Sequence, residues 1–474
     1  MLESFQEQRC IFYERVTMAS IQEPSGISKI IRLLWGDLTR DEYKKFGILA
    51  AAMMLIIGNY WMLRITKDAL FNMFVGYKAY EPVAKMVSPF VMLIAVLGYS
   101  KLVDLLRRTT LIYALCAFYG FAFLALSLFI AHPDMVTISQ SSALYPLVSW
   151  IPGKGIGWFL YLLLESYGSL LIGLFYAFIA SVMTADLAKK GYGFLFVLIQ
   201  IAVVTAIVIE MFVVKSFGFY AIYLLSGIFV LLAPFFIKLY VSIFAQEIAA
   251  LRDAHQPKKQ NTGFLEGLRL IVTHPYVMGL FVVASFYEII HYIIEYQMSI
   301  AALSICTTQE FAVFKGYQGI GINTLSFVFT FLGTSIFMRK FGLRFCLIAF
   351  PITIGVIVLA SYFSYTSGMS NLYLMWVLLG ASVAIRGLNY ALNKPASEVM
   401  YIPTSKDVKF KSKGWVDMFG LRVTKSIGGG ITWISPLFLY GAVASLGIVA
   451  VWAFVAAFVG TTFNKLTAEN KIIE

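Results

Sequence analysis

Val197 to Ile209 reads V-L-I-Q-I-A-V-V-T-A-I-V-I, without a charge and without any alternation of apolar and polar positions. A membrane-barrel strand alternates between its lipid face and its lumen face, so this run is not one. Backbone polar groups in lipid must be paired internally, and with barrels excluded only helices remain. Apolar stretches of about 20 residues, each long enough to cross a hydrocarbon core of roughly 30 Å as a helix, recur from Phe46 to Phe463. The composition, 60% hydrophobic and 13% charged with a mean hydropathy of +0.81, excludes a chain of soluble domains. The expected fold class is an all-α membrane protein with about twelve transmembrane helices.

Hydropathy centres the spans near residues 56, 93, 120, 172, 203, 230, 288, 327, 353, 382, 428 and 451. The net charge of +12 suggests a nucleic-acid binder at first sight, yet the cations sit in short links rather than along one face. One set of links carries Arg107, Arg108, Lys189, Lys190, Arg252, Lys258, Lys259, Arg339, Lys340, Arg344, Lys406, Lys409, Lys411 and Lys413. The alternate links are nearly bare, with Lys78, Lys154, Lys215 and Lys315 among few cations. The positive-inside bias makes the first set cytoplasmic, and an even number of spans puts both termini there. No nucleic acid and no obligate protein partner is expected; the lipid bilayer is.

The longest cytoplasmic link divides the chain into an N-terminal segment 1–45, a six-helix bundle 46–245, a linker 246–275, a second bundle 276–463 and a tail 464–474. Gly98 to Arg108 (G-Y-S-K-L-V-D-L-L-R-R) is echoed loosely by Gly333 to Arg344 (G-T-S-I-F-M-R-K-F-G-L-R), and both resemble the cytoplasmic motif of major facilitator transporters. Two major-facilitator-like halves are therefore expected. No apolar stretch precedes residue 46, so a cleaved leader is not expected. Cys10, Cys116, Cys306 and Cys346 have no metal or disulfide spacing and read as small core residues. No metal, no cofactor and no enzymatic nucleophile is called for, and no G-x-x-x-x-G-K-[ST] loop supplies an ATPase.

An ionisable group near mid-span costs roughly 2.5 to 3.5 kcal/mol, so it persists where it faces a cavity or a partner. Arg64, Lys67 and Asp68 share one face of the first span, and Glu165 opens the fourth. Glu288, His291 and Glu295 share a face of the seventh, with Tyr287, Tyr292 and Tyr296 interleaved. Arg386, Asn389 and Asn393 lie on the tenth span, and Arg422 and Lys425 stand beside Gly428, Gly429 and Gly430 on the eleventh. These faces are expected to line one cavity. Internal pairing, such as Lys67 with Glu165 or Lys425 with Glu295, is the structural alternative for each. For the set, cations on three spans exceed what packing requires and suit a multiply charged anion. Tyr60, Trp61 and Tyr292 are candidates for stacking a base, and Asp68, Glu288, His291 and Asp417 for coupling. Glu210 is placed at a membrane edge without a role.

From Tyr390 to Gly430 the chain resembles the ATP/ADP translocase family of plastids and obligate intracellular bacteria. The resemblance is carried by Glu398, Tyr401-Ile402-Pro403, Lys409, Lys411, Lys413, Asp417, Gly420, Arg422, Lys425 and Ser426. Asn59-Tyr60, Leu63-Arg64, Lys67 to Leu70, and Glu165 with Gly168 extend it over roughly residues 33 to 462. It implies a twelve-span nucleotide carrier in which Lys67, Glu165, Glu295 and Lys425 serve transport. Arg64, Arg386 and Arg422 join the lysines as the phosphate-binding set. The implied partner is ATP, ADP, another nucleoside triphosphate or NAD, moved by exchange or with a coupled proton. The implied location is the bacterial inner membrane ahead of the plastid inner envelope. A proton symporter for another organic anion, or a non-transporting receptor or scaffold, is the alternative.

Overall fold

The computed structural model describes residues 39–136, 149–254, 264–332, 342–469 and 471–473. Residues 1–38 with Cys10, Lys258 and Lys259 of the linker, and most of the Gly333 to Arg344 echo lie outside the described residues. Among the described residues twelve long helices carry the fold, and every expected centre falls inside one of them. The first half comprises α1 (Arg40–Phe74), α2 (Tyr77–Leu105), α3 (Arg108–Ala131), α4 (Gly155–Val182), α5 (Ala185–Phe217) and α6 (Phe219–Ile243). The second comprises α7 (Pro275–Leu303), α8 (Thr308–Leu332), α9 (Leu343–Thr366), α10 (Asn371–Leu388, running on through Lys394–Met400), α11 (Lys406–Trp415 and Leu421–Ile434) and α12 (Phe438–Ala468).

Among the described residues, ten helices are apolar and long enough to cross a membrane by composition alone. The two that fall short, α8 and α11, hold Lys315 with Gln318 and Arg422 with Lys425, which the bundle shelters from lipid. The outer wall is apolar: Phe90 is 71% exposed, Ile94 72% and Phe454 77%. In water such a belt would drive aggregation; in hydrocarbon it is the solvated face.

Local chemistry sets the ends. Thr39 caps α1 in a reciprocal box with Glu42, and Ser370 and Ser405 cap α10 and α11 through their hydroxyls. The turn from α1 to α2 passes through Gly76 at φ 105°, a conformation open to glycine at little cost.

Helix packing repeats with a period of six. In the first half α3 packs on α6 and α1 on α4, and in the second α9 packs on α12 and α7 on α10. Across the halves α2 packs on α11, and its counterpart α8 packs on α5. The architecture is thus two equivalent six-helix halves, as expected for a major-facilitator-like chain. Of the linker, Ala245–Ala254 packs on the first half, and Phe264–Thr273 lies against Lys406–Trp415 of the second, where Lys411 donates to Glu266 at 2.7 Å.

Both ends of the described chain lie at one end of the bundle, the near end, where Thr404 bridges to Ile473 and Lys45 pairs with Glu247. The turn at Gly76 marks the far end, where the Lys154 amide donates to the Phe74 carbonyl. Ties between the halves gather at mid-depth and toward this far end. Tyr292 donates to Glu81, the Tyr296 hydroxyl to the Lys78 carbonyl at 2.8 Å, and the Ser426 hydroxyl to the Lys85 carbonyl at 2.8 Å. Tyr77 stacks on Tyr296 with centroids 6.1 Å apart. Gly428 and Gly429 make this closure feasible: a Cβ on Gly429 would stand 3.0 Å from the Pro82 carbonyl, and one on Gly428 would stand 3.0 Å from the Tyr292 ring.

Candidate functional site

Four helices that carry the expected charges are interrupted at mid-depth. A π turn occupies Met54–Gly58 in α1, Asn389–Asn393 in α10 and Val416–Gly420 in α11, and α7 breaks between Ser285 and Tyr287. A π turn adds one residue, which rotates everything beyond it by about 100°, and such turns recur at functional sites. Hydropathy and helical spacing carry no signal for these turns, so they were not foreseen.

Beyond the turn in α1, Lys67 Nζ lies 3.1 Å from Glu165 Oε1 on α4 and 3.9 Å above the Tyr161 ring. Glu165 Oε1 also takes Lys85 Nζ of α2 at 3.1 Å, and Glu165 Oε2 lies 3.6 Å from Arg422 Nη1 of α11. Arg422 also donates to Ser169. A second carboxylate, Glu295 on α7, accepts from Lys315 Nζ of α8 at 3.0 Å, with Gln318 at 3.4 Å and His291 at 3.6 Å. Lys315 reaches across the halves to Asp68 at 3.1 Å. The third, Glu288, accepts from Arg386 at 3.0 Å and has Lys425 at 3.5 Å. His291 sits 3.1 Å from Ser382 and 3.4 Å from Arg386. Glu165 is approached by a lysine of α2 and Glu295 by a lysine of its counterpart, α8, although the two carboxylates stand on helices that the repeat does not relate.

Tyr60, Trp61, Arg64, Lys67, Asp68, Glu165, Glu295 and Lys425 line a common central cavity, and Arg386 and Glu288 line an adjoining one. Arg64 stacks 4.9 Å over Trp61 and, among the described residues, has no carboxylate within salt-bridge distance. Tyr60 stacks at 6.4 Å on Tyr167, its ring seated where Gly168 lacks a side chain; a Cβ there would come within 2.5 Å. Tyr292 lines the central cavity with its hydroxyl given to Glu81, and its ring is buried in the far-end tyrosine cluster. Asp417 stands apart, exposed and lining the adjoining cavity nearer the termini.

Two sequence expectations need correction. Lys425 takes Glu288 and not Glu295, because α7 presents Glu288 toward α11 and Glu295 toward α8. Lys315, read as a link residue, lies on α8 only 4% exposed, inside the central cavity. Glu210, read as a residue without a role, is fully enclosed by protein, and neither oxygen has a hydrogen-bond partner among the described residues. Glu81, Lys85 and Gln318 were missed altogether. The second span was read only by its centre near residue 93, and α2 begins at Tyr77, which puts Glu81 and Lys85 one turn apart inside the bundle.

The connected network holds seven cations (Arg64, Lys67, Lys85, Lys315, Arg386, Arg422 and Lys425) against five carboxylates (Asp68, Glu81, Glu165, Glu288 and Glu295). On these groups alone, two positive charges are in excess in a low-dielectric site. That excess attracts an anion, and five of the cations, Arg64, Lys67, Lys85, Lys315 and Lys425, line the central cavity. The central cavity encloses about 60 Å³ of free space, enough for water but not for a nucleotide, so the halves must part to admit one.

The comparisons agree with this chemistry. The chain is 24% identical to ADP,ATP carrier protein 1 of Rickettsia prowazekii, covering 96% of this chain and 100% of the relative. It is 24% identical to the chloroplastic ADP,ATP carrier protein 1 of Arabidopsis thaliana, covering 90% and 75%. Its fold matches a bacterial homologue of the iron transporter ferroportin in the inward-facing state, with a TM-score of 0.59, 13% identity and coverage of 88% and 98%. The family described as TLC ATP/ADP transporter matches residues 21–463, so this integral membrane protein belongs to that family.

Proposed function

We propose that the protein is a secondary transporter, not an enzyme, that moves nucleotides by exchange or with a coupled proton. Its two bundles, 46–245 and 276–463, rock about the central cationic cavity. The observation that carries the reading is the excess of cations over carboxylates at mid-depth, spread over both halves.

In the empty carrier Glu165, Glu288 and Glu295 hold the lysines and arginines in place. An entering phosphate chain offers the same cations better-placed acceptors, so it competes for them and displaces the carboxylates. Two of the displaced pairs, Lys315 with Asp68 and Arg422 with Glu165, join opposite halves. Breaking them loosens the contact that keeps the far end shut, which couples substrate arrival to rocking. Asp68, Glu288 and His291 touch these cations and are the groups that would carry a coupled proton. Both termini are assigned to the cytoplasm on the charge bias of the links, and the protein to a bacterial inner membrane on its likeness to the Rickettsia carriers.

Uptake of labelled ATP into cells expressing the protein tests the reading. The expected result is uptake competed by unlabelled nucleotides, with a protonophore separating exchange from proton symport. Absence of uptake for every nucleotide, with or without a proton gradient, rejects it; competition by unrelated organic anions alone would favour a different symporter.

A further inference from the structure

The π turns of α10 and α11 lie on two sides of a second cavity of about 230 Å³, enclosed with α7 and set on the near-end side of the lysine cluster. It is smaller than the roughly 300 to 1,000 Å³ of sites that take a whole drug-sized ligand, which suits one flat fragment of a larger molecule. It adjoins the central site through Glu288 and Arg386.

Its polar lining is specific. Asn393 Nδ2 donates to Asn389 Oδ1 at 3.0 Å, and both side chains are buried at 4% exposure. Among the described residues, the remaining amide hydrogens of Asn389 and the amide oxygen of Asn393 are unpartnered. Reversing both amides swaps the roles and still leaves one donor beside one acceptor. A nucleobase edge presents that same complementary pair. Tyr390, next in sequence to Asn389, also lines the cavity, with Lys394 Nζ 5.7 Å from its ring centroid. Glu288 Oε2 is buried with no hydrogen bond, and its cation, Lys425, stands 3.5 Å away, which leaves the oxygen able to accept from a hydroxyl.

We propose that this cavity is the nucleobase subsite: Asn389 and Asn393 read the base edge, Tyr390 stacks on the ring, and Glu288 Oε2 receives a ribose hydroxyl. The phosphates then extend past Arg386 into the cluster of Arg64, Lys67, Lys85, Lys315 and Lys425. The C-terminal half would supply base recognition, and both halves would supply the phosphate clamp. This inference rests on the nucleotide-transport reading.

Two measurements test it. Photolabelling the purified wild-type protein with 8-azido-ATP, followed by peptide mapping, should place the adduct on the segment 389–393. An adduct at Tyr60 or Trp61 instead would overturn the assignment. In competition against labelled ATP uptake, Asn393→Ala should shrink the protein's preference among ATP, GTP, CTP and UTP by roughly tenfold, while inhibition by inorganic tripolyphosphate stays unchanged. An unaltered preference in a transporting variant refutes the subsite alone, and absence of ATP uptake by the wild type refutes the underlying transport reading.

Discussion

Replacing Lys67 by Gln is expected to cut nucleotide uptake by about 10- to 100-fold with membrane insertion intact, the loss that follows from removing one hydrogen bond of ~1.5–3 kcal/mol to a charged group. The separation of function from folding has a structural reason. Truncating one member of a buried pair is damaging when it strands the other as an unpaired charge. Glu165 is not stranded, because Lys85 remains at 3.1 Å and Arg422 at 3.6 Å. Lys425→Gln should behave alike, since Glu288 keeps Arg386 at 3.0 Å. Uptake assays beside a surface-expression control check both, and normal uptake by the two variants would show that these cations do not meet the substrate.

A leucine at Gly429 should abolish uptake. Even a single added carbon there meets the Pro82 carbonyl at 3.0 Å, the Lys85 Cβ at 3.4 Å and the Met86 Cγ at 3.6 Å. A leucine side chain must push α2 and α11 apart, and these are the helices whose approach closes the far end. The carrier would still bind nucleotide in detergent but could not complete a cycle, so binding should survive while uptake falls to background. Gly429→Ala should lose only a few-fold, because it asks a shift of about a few tenths of an ångström from the Pro82 carbonyl and meets Lys85 and Met86 at ordinary contact distance. Full uptake by the leucine variant would mean that closure between α2 and α11 is no part of the cycle.

The membrane fold was legible because hydrocarbon imposes a one-dimensional rule: each crossing needs its own apolar run, and the runs can be counted. The charged faces of α1 and α7 were legible for the complementary reason, that Lys67 or Glu295 in such a run costs too much to be idle. Pairing was legible only in part: Lys67 with Glu165 was expected and stands at 3.1 Å, whereas the partner of Lys425 was not. Which carboxylate meets Lys425 depends on how α7 turns after its break at Ser285, and periodicity does not encode that rotation. Lys85, Glu81 and Lys315 were lost at the helix ends, where a hydropathy window mixes span with link. The resemblance supplied what the membrane-cost argument could not, a chemical identity for the anion.

The central claim is that the buried cations exchange carboxylate for phosphate, and titrating purified protein with inorganic tripolyphosphate tests it without base or ribose. The account expects binding that weakens with salt and falls at least tenfold in the Lys67→Gln variant. Wild-type protein that is folded yet indifferent to tripolyphosphate, or a variant that binds it as tightly as the parent, would contradict the account.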